Sequence, residues 1–453
     1  MAEAAFDTDL KVEINNKQIF KIALPISVAI LIPQVNFITN NIFLGHYSTE
    51  SLAVASITGV YYLIFAAIGF GLNNGLQMLI ARRAGENRPE EIGKLFTQGV
   101  LISLCIAAVT LLLTYFITPF LFRAVIHNPN NAEKAISFLH IRMWGLPFLY
   151  VYQLRNALLV GTNQSKYLVA GTLAEALANV VFDYLLIFGK FGFPEMGFNG
   201  AAVSSIIAEF MGMFVIFLVI HRKGITRRFA LFKELKWDSV NAKLISNMSA
   251  PLVFQHGISI VSWELFYILI ERNNSENALA ISNTMRNIFG IFGSFTWAFA
   301  AAASSMVSNI IGQGRHDEVR NLIWKIVKIS SGMAIVVFIL LNIFPRLFLS
   351  IYGQSDLFIE EGVPVIRVIS IAMILMSFSV IWVSSVTGTG NTRVSLMIEA
   401  MTICFYCCYV YLVLERFKLG ITYGWASEWL YWTSLFIPSF FYIRSGRWRK
   451  KVI

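Results

Sequence analysis

Charged side chains are scarce in this sequence. Asp, Glu, Lys and Arg make up 14% of its 453 residues, whereas soluble domains carry about a quarter. Hydrophobic residues make up 57%, and the mean hydropathy is +0.65. So apolar a chain cannot cover itself with a polar surface, which excludes an ordinary soluble protein. We therefore expect a polytopic membrane protein with the lipid bilayer as its surroundings.

Cysteine is also rare. Of the four cysteines, Cys404, Cys407 and Cys408 cluster in one apolar stretch, and Cys105 stands alone. No second cluster accompanies them, so small packing residues are favoured over a metal or redox site. The sequence also lacks an HExxH motif, a nucleotide-binding loop, and Ser/His or paired-Asp catalytic motifs. These absences argue against an enzyme, and we expect no cofactor.

The formal net charge of +10 would suggest a nucleic-acid partner in a soluble protein. Here the Lys and Arg residues lie mainly in connections between apolar stretches, where they set the orientation in the membrane. We therefore expect no nucleic-acid partner. The most basic connections fall on the side of both termini, which predicts cytoplasmic termini in a cell inner (cytoplasmic) membrane.

Twelve apolar stretches are long enough to cross a bilayer, which takes about 20 residues. They lie near residues 20–44, 52–80, 95–122, 136–159, 167–188, 197–220, 245–270, 279–310, 320–344, 363–387, 394–414 and 423–441. The predicted fold is all-α, with twelve transmembrane helices in two pseudo-symmetric six-helix bundles.

The two halves of the chain repeat. An offset of 227 residues places Gly161 on Gly388 and Gly197 on Gly424. With six helices each, both halves enter the membrane in the same direction, and transporters built from such parallel repeats hold their substrate between the two bundles. The predicted domains are an N-terminal lobe at 1–221, a cytoplasmic linker at 222–243 and a C-terminal lobe at 244–453.

Polar residues recur along single faces of three predicted helices in the first half. The first helix carries Asn36 and Asn40, the fifth carries Glu175, Asn179 and Asp183, and the sixth carries Ser205 and Glu209. Four of them share a depth of about 8–12 Å below the outer helix ends: Asn40, Asn179, Asp183 and Ser205. One carboxylate with neutral oxygens suits Na⁺, and a carboxyl alone suits a proton. The alternative is a hydrogen-bond network that only packs the bundle.

The second half carries a different polar set. Glu264 on the seventh predicted helix and Arg286 on the eighth flank a short loop at similar depth, which predicts a salt bridge between antiparallel neighbours. Gln255 is a weaker candidate, and Glu399 lies near a helix end, where it would be interfacial. The candidate substrate or gating residues are Asn36, Glu175, Glu209, Gln255, Glu264 and Arg286.

Four segments resemble motifs of the multidrug and toxic compound extrusion (MATE) transporters. They are Asn179–Gly189, Gly197–Ser205, Asn41–Ser48 and Ile311–Gly314. The resemblance covers nearly the whole chain. It implies two six-helix lobes, export driven by Na⁺ or H⁺, and a cation site that includes Asn179 and Asp183. Ser205 stands where the family has Thr, and Asn40 stands where it usually has Asp, so this chain lacks one carboxylate.

Together these features predict a secondary active antiporter. It would act as a monomer and export amphipathic cationic organic compounds in exchange for Na⁺ or H⁺, with Na⁺ held by Asp183 and Asn179. The alternative is a flippase for lipid-linked precursors from a related branch. A flippase cleft would need basic residues for phosphate, whereas the polar set of the first half is acidic and neutral.

Overall fold

The computed structural model describes residues 9–126, 128–272, 277–352, 355–451 and 453, without the side chains of residues 37, 49, 52 and 53. All regular secondary structure in these ranges is helical. The predicted all-α class is confirmed.

The helices of the first half follow the predicted stretches closely. They are α1 (Asn16–Tyr47), α2 (Thr49–Gly85), α3 (Pro89–Val125), α4 (Pro129–Arg142), α5 (Leu146–Gly161), α6 (Leu168–Phe188), α7 (Phe198–Arg222) and the short α8 (Ile225–Arg228). A 3₁₀ turn, Met143–Gly145, connects α4 to α5, so these two together form the fourth predicted helix.

The helices of the second half repeat this order. They are α9 (Ser239–Glu271), α10 (Ala278–Gly312), α11 (Val319–Ile343), α12 (Pro345–Ser350), α13 (Asp356–Gly388), α14 (Thr392–Val410), α15 (Ile421–Trp425) and α16 (Ser427–Ser445). A π-helical turn, Tyr411–Arg416, extends α14. All twelve predicted membrane helices are therefore present, and the sequence did not predict the short helices α8, α12 and α15.

Ten helical segments of the described residues are long and apolar enough to span a membrane. The two other predicted spans are the α4–α5 segment, which the 3₁₀ turn divides, and α16, which is rich in Ser, Tyr and Trp. The chain is thus a multi-pass membrane protein.

The chain forms two compact units. The first comprises residues 28–253, and the second comprises residues 9–27 and 254–453. Both divisions fall inside a helix, two residues after Pro25 in α1 and two residues after Pro251 in α9. The beginning of each of these helices therefore belongs to a different unit from its end.

In the first unit, two glycines allow close packing of α2 against the beginning of α9. A Cβ atom added at Gly71 would lie 2.5 Å from Val253, and one added at Gly75 would lie 2.3 Å from Ser249. The four-residue spacing on both helices is that of the small-residue motif that brings membrane helices together.

The segment before α1 is anchored in the second unit by side chains of α10 and α11. Asn309 accepts a hydrogen bond from the Val12 N–H (3.1 Å) and donates one to the Leu10 carbonyl (2.8 Å). Lys325 donates to the Ile14 carbonyl at 2.9 Å. In the first unit, Gln98 makes the equivalent contact to the Lys236 carbonyl, ahead of α9. Gln98 and Lys325 are 227 residues apart, which is the offset of the sequence repeat, so the two halves share this anchoring contact.

Candidate functional site

A buried carboxylate lies at the centre of the polar layer in the first unit. The Asp183 side chain on α6 is fully buried, and its neighbour one turn earlier, Asn179, is 4% exposed. In the amide orientation that pairs donors with acceptors, the Asn40 nitrogen lies 2.5 Å from Asp183 Oδ2 and 2.9 Å from Asn179 Oδ1. The structure therefore brings together three of the four residues predicted to share this layer.

The fourth position differs from the prediction. Ser204, not Ser205, contacts Asn179: its hydroxyl accepts from Asn179 Nδ2 at 3.3 Å and donates to the Asn179 carbonyl at 3.1 Å. Ser205 instead donates to the Ala201 carbonyl of its own helix. One residue along an α-helix rotates a side chain by about 100°, so the two serines point in different directions. Ser204 replaces Ser205 in the layer.

One oxygen of the Asp183 carboxylate, Oδ1, is buried and has no hydrogen-bond partner. A buried polar atom of this kind costs free energy unless something satisfies it. Carboxylate and amide oxygens are hard ligands of the type that Na⁺ accepts, and a proton on the carboxyl would equally remove its charge. The residues present therefore fit a site for one monovalent cation.

A second buried group in this unit is an ion pair between α4 and α7. Arg142 donates to both carboxylate oxygens of Glu209, with Nη1 at 2.8 Å from Oε2. The Tyr62 hydroxyl donates to Glu209 at 3.4 Å, and the Arg142 guanidinium lies 3.9 Å from the centre of the Tyr62 ring. A Cβ atom added at Gly145 would lie 2.3 Å from both partners, so this glycine makes room for the pair.

The sequence singled out Glu209 but not Arg142. An arginine inside the apolar stretch at 136–159 was a signal that could have identified it, because a charge at membrane depth requires a partner. The pair spans 67 positions of the chain, which spacing along one helix cannot reveal.

Two other candidate residues of the first half, Glu175 and Asn36, have different surroundings. Glu175 lies beside Tyr152 and close to Arg155 of α5. Arg155 is itself bound to the Tyr152 carbonyl and the Thr172 hydroxyl, each at 2.9 Å. Asn36 takes part in the polar layer through its main chain, since its carbonyl lies 3.2 Å from the Asn40 nitrogen.

The predicted salt bridge between Glu264 and Arg286 is wrong. The described residues contain no ion pair between these two side chains within 4.0 Å. Arg286 is exposed, and its guanidinium lies 5.2 Å from the centre of the Tyr267 ring. The hairpin places the two helices as expected, but Arg286 points to the outside of the unit, where an aromatic face receives it.

A buried carboxylate in the second unit also differs from the expectation. Glu399 on α14 is 3% exposed, so its side chain lies inside the unit and not at its surface. It accepts hydrogen bonds from Ser259 (2.8 Å), Gln255 (3.2 Å) and Tyr431. Gln255, a candidate from the sequence, therefore acts as one of three donors to a carboxylate.

Comparisons with known proteins agree with this architecture. The MatE family model matches residues 25–185 and 251–412, one segment in each half. The chain is 22% identical over 449 residues to the probable multidrug resistance protein NorM of Thermotoga maritima, covering 96% of this chain and 94% of the relative. It is 24% identical over 326 residues to the multidrug resistance protein MdtK of Yersinia pseudotuberculosis, covering 66% and 70%.

Solved structures share the fold. The crystal structure of MATE in complex with MaL6 superposes with a TM-score of 0.89 at 17% identity, covering 98% of each chain. The outward-facing conformation of a multidrug resistance MATE family transporter gives a TM-score of 0.87 at 17% identity, covering 96% of each chain. Since the family model matches both halves and more than half of its length, this chain belongs to the MatE family and is a membrane transporter, not an enzyme.

Proposed function

We propose that the protein is an antiporter of the inner membrane that exports amphipathic cationic organic compounds in exchange for one Na⁺ or one H⁺ bound at Asp183. The observation that carries this proposal is the environment of the carboxylate. Asp183 is fully buried, one of its oxygens has no partner, and the Asn40 nitrogen lies 2.5 Å from the other and 2.9 Å from Asn179 Oδ1.

The coupling follows from what the Asn40 amide can do. Its nitrogen donates to Asp183 and Asn179, which partly compensates the buried negative charge. When a cation binds the carboxylate, it neutralises the charge that the Asn40 nitrogen had compensated. Rotation of the Asn40 amide by 180° then presents its oxygen to the cation. Cation occupancy would thereby change the contacts that join α1 to α6.

The site holds a single carboxylate, because position 40 is Asn. Binding of one monovalent cation is enough to neutralise it, so we propose a stoichiometry of one cation at this site for each transport cycle.

The substrate class is supported by the relatives named NorM and MdtK, which are described as multidrug resistance proteins. A flippase is not favoured. A flippase would need free basic groups for phosphate beside the polar layer of the first unit. There Arg142 is paired with Glu209, and Arg155 lies close to Glu175.

The test uses the purified protein in liposomes loaded with a fluorescent dye cation. A Na⁺ gradient and a pH gradient are imposed separately, with the membrane potential held at zero by K⁺ and valinomycin. We expect dye movement opposite to one of the two gradients. Dye movement that depends on neither gradient would contradict antiport.

A further inference from the structure

A cleft of about 580 Å³ opens on the second unit between α11, α12 and the first part of α13. Its lining includes two arginines, one glutamate and several apolar side chains: Arg346, Arg367, Glu360, Phe344, Leu347 and Val363. None of these residues belongs to the polar layer around Asp183 or to the carboxylate cluster around Glu399.

The cleft lies at a membrane boundary. The apolar span that ends in α11 stops at Ile343, three residues before Arg346. Arg367 on α13 lines the same cleft as Ile343, the last residue of that span. Its side chain therefore lies beside the end of α11, at the level where lipid headgroups are expected.

Neither arginine has an ionic partner in the part of the chain that the structure describes. Arg346 and Arg367 are exposed, and neither takes part in an ion pair within 4.0 Å among the described residues. A guanidinium at the level of the headgroups attracts anionic groups of the lipid. Phosphate is the anion that a membrane supplies there, and the planar guanidinium matches its oxygens.

The carboxylate of Glu360 favours a ligand that carries a positive amine as well as a phosphate. Glu360 precedes Arg367 by seven residues on α13 and therefore lies on the same face, two turns away. A site with two cations and one anion is complementary to a headgroup that carries a phosphate and a positive amine. Phe344 and Leu347, which are 50% and 60% exposed, provide an apolar rim for acyl chains.

We propose that this cleft binds a phospholipid with an ethanolamine headgroup. Arg346 and Arg367 bind the phosphate, Glu360 accepts hydrogen bonds from the ammonium group, and the acyl chains lie along Phe344 and Leu347. The carboxylate of Glu360 distinguishes this lipid from phosphatidylglycerol, which lacks the amine, and from phosphatidylcholine, whose amine has no N–H to donate. The proposal does not depend on the transported substrate or on the coupling ion.

Native mass spectrometry of the purified, delipidated full-length protein tests the proposal. Dioleoyl phosphatidylethanolamine, phosphatidylglycerol and phosphatidylcholine are added separately at equal concentration. We expect phosphatidylethanolamine to be retained at least fivefold more than the other two. Equal retention of the three lipids would overturn the assignment.

Variants locate the site. Replacing Arg346→Ala together with Arg367→Ala should reduce phosphatidylethanolamine retention about tenfold, and both side chains are exposed, so the fold should tolerate the change. Glu360→Gln should abolish the preference over phosphatidylglycerol while leaving the phosphate contact. The matched control is Arg123→Ala at the end of α3, an exposed arginine already paired with Glu133 at 2.8 Å. Unchanged retention in the double variant, or an equal loss in the control, would overturn the proposal.

A competition experiment distinguishes binding of a lipid from binding of a free anion. Inorganic phosphate and glycerophosphoethanolamine are added as competitors at millimolar concentration. Neither should displace the lipid, because they lack the acyl chains that contact the apolar rim. Full displacement by inorganic phosphate would show a soluble-anion site and contradict the assignment to a lipid.

Discussion

Arg142 and Glu209 face each other inside the first unit, and the guanidinium donates one hydrogen bond to each oxygen of the carboxylate. Their side chains are 11% and 5% exposed. The pair connects α4 with α7, next to the layer that contains Asp183. A buried pair with this geometry is stable only while both charges are present, because either charge alone would be left in a low-dielectric interior.

The first prediction concerns this pair. Arg142→Met should lower the free energy of unfolding by about 3–5 kcal/mol, because Glu209 loses its counter-charge. The double variant Arg142→Met with Glu209→Met should recover most of that loss. Chemical denaturation in detergent, followed by tryptophan fluorescence, measures both. If Arg142→Met is as stable as the parent, the ion pair does not contribute to the free energy of unfolding.

The second prediction concerns the close contact of α2 with α9. Gly71→Ala should lower the free energy of unfolding by about 1–3 kcal/mol, because the added methyl would overlap the Val253 backbone. Gly59→Ala, in the same helix, is the matched control, since an added Cβ atom there meets nothing within 4 Å. Its effect should be neutral or slightly stabilising. Equal effects of the two changes would contradict close packing at Gly71.

The third prediction concerns orientation. Single cysteines at Lys236 and Glu195, in a background without native cysteines, report on the segment before α9 and on the loop between α6 and α7. An impermeant thiol reagent added outside intact cells should label Glu195→Cys alone. Labelling of Lys236→Cys from outside would reverse the predicted cytoplasmic placement of the termini.

The fourth prediction separates two adjacent serines. Ser204→Ala should reduce cation-driven dye export several-fold, because it removes the hydroxyl that contacts Asn179. Ser205→Ala should leave export near the parent level, since that hydroxyl bonds only to its own helix at Ala201. Export assays in the same liposomes compare them. The reverse order of effects would restore Ser205 as the member of the layer.

The helices could be predicted from the sequence because membrane helices need long apolar stretches. Ten helical segments of the described residues are long and apolar enough to span a membrane. The shared depth of Asn40, Asn179 and Asp183 could also be predicted, because i and i+4 spacing fixes a face and distance from the helix end fixes a depth. Both steps use only one helix at a time.

Contacts between side chains of different helices were harder to predict from the sequence. The choice between Ser204 and Ser205 depends on the rotation of α7 about its axis, which helix ends uncertain by several residues do not determine. Arg142 and Glu209 meet because α4 packs against α7, and no local pattern shows that. The predicted Glu264–Arg286 pair had the correct neighbouring helices but the wrong side-chain direction, since Arg286 faces outward over Tyr267.

Asp183 is the proposed binding group for the coupling cation, and one measurement tests this role most directly. Dye export is recorded in liposomes under a Na⁺ gradient and under a pH gradient for the parent, for Asp183→Asn and for Glu195→Gln, an exposed acid beyond the end of α6. Equal amounts of folded protein are verified by size-exclusion chromatography. We predict that Asp183→Asn loses gradient-driven export completely while Glu195→Gln retains it. Gradient-driven export by folded Asp183→Asn at the parent rate would contradict the account.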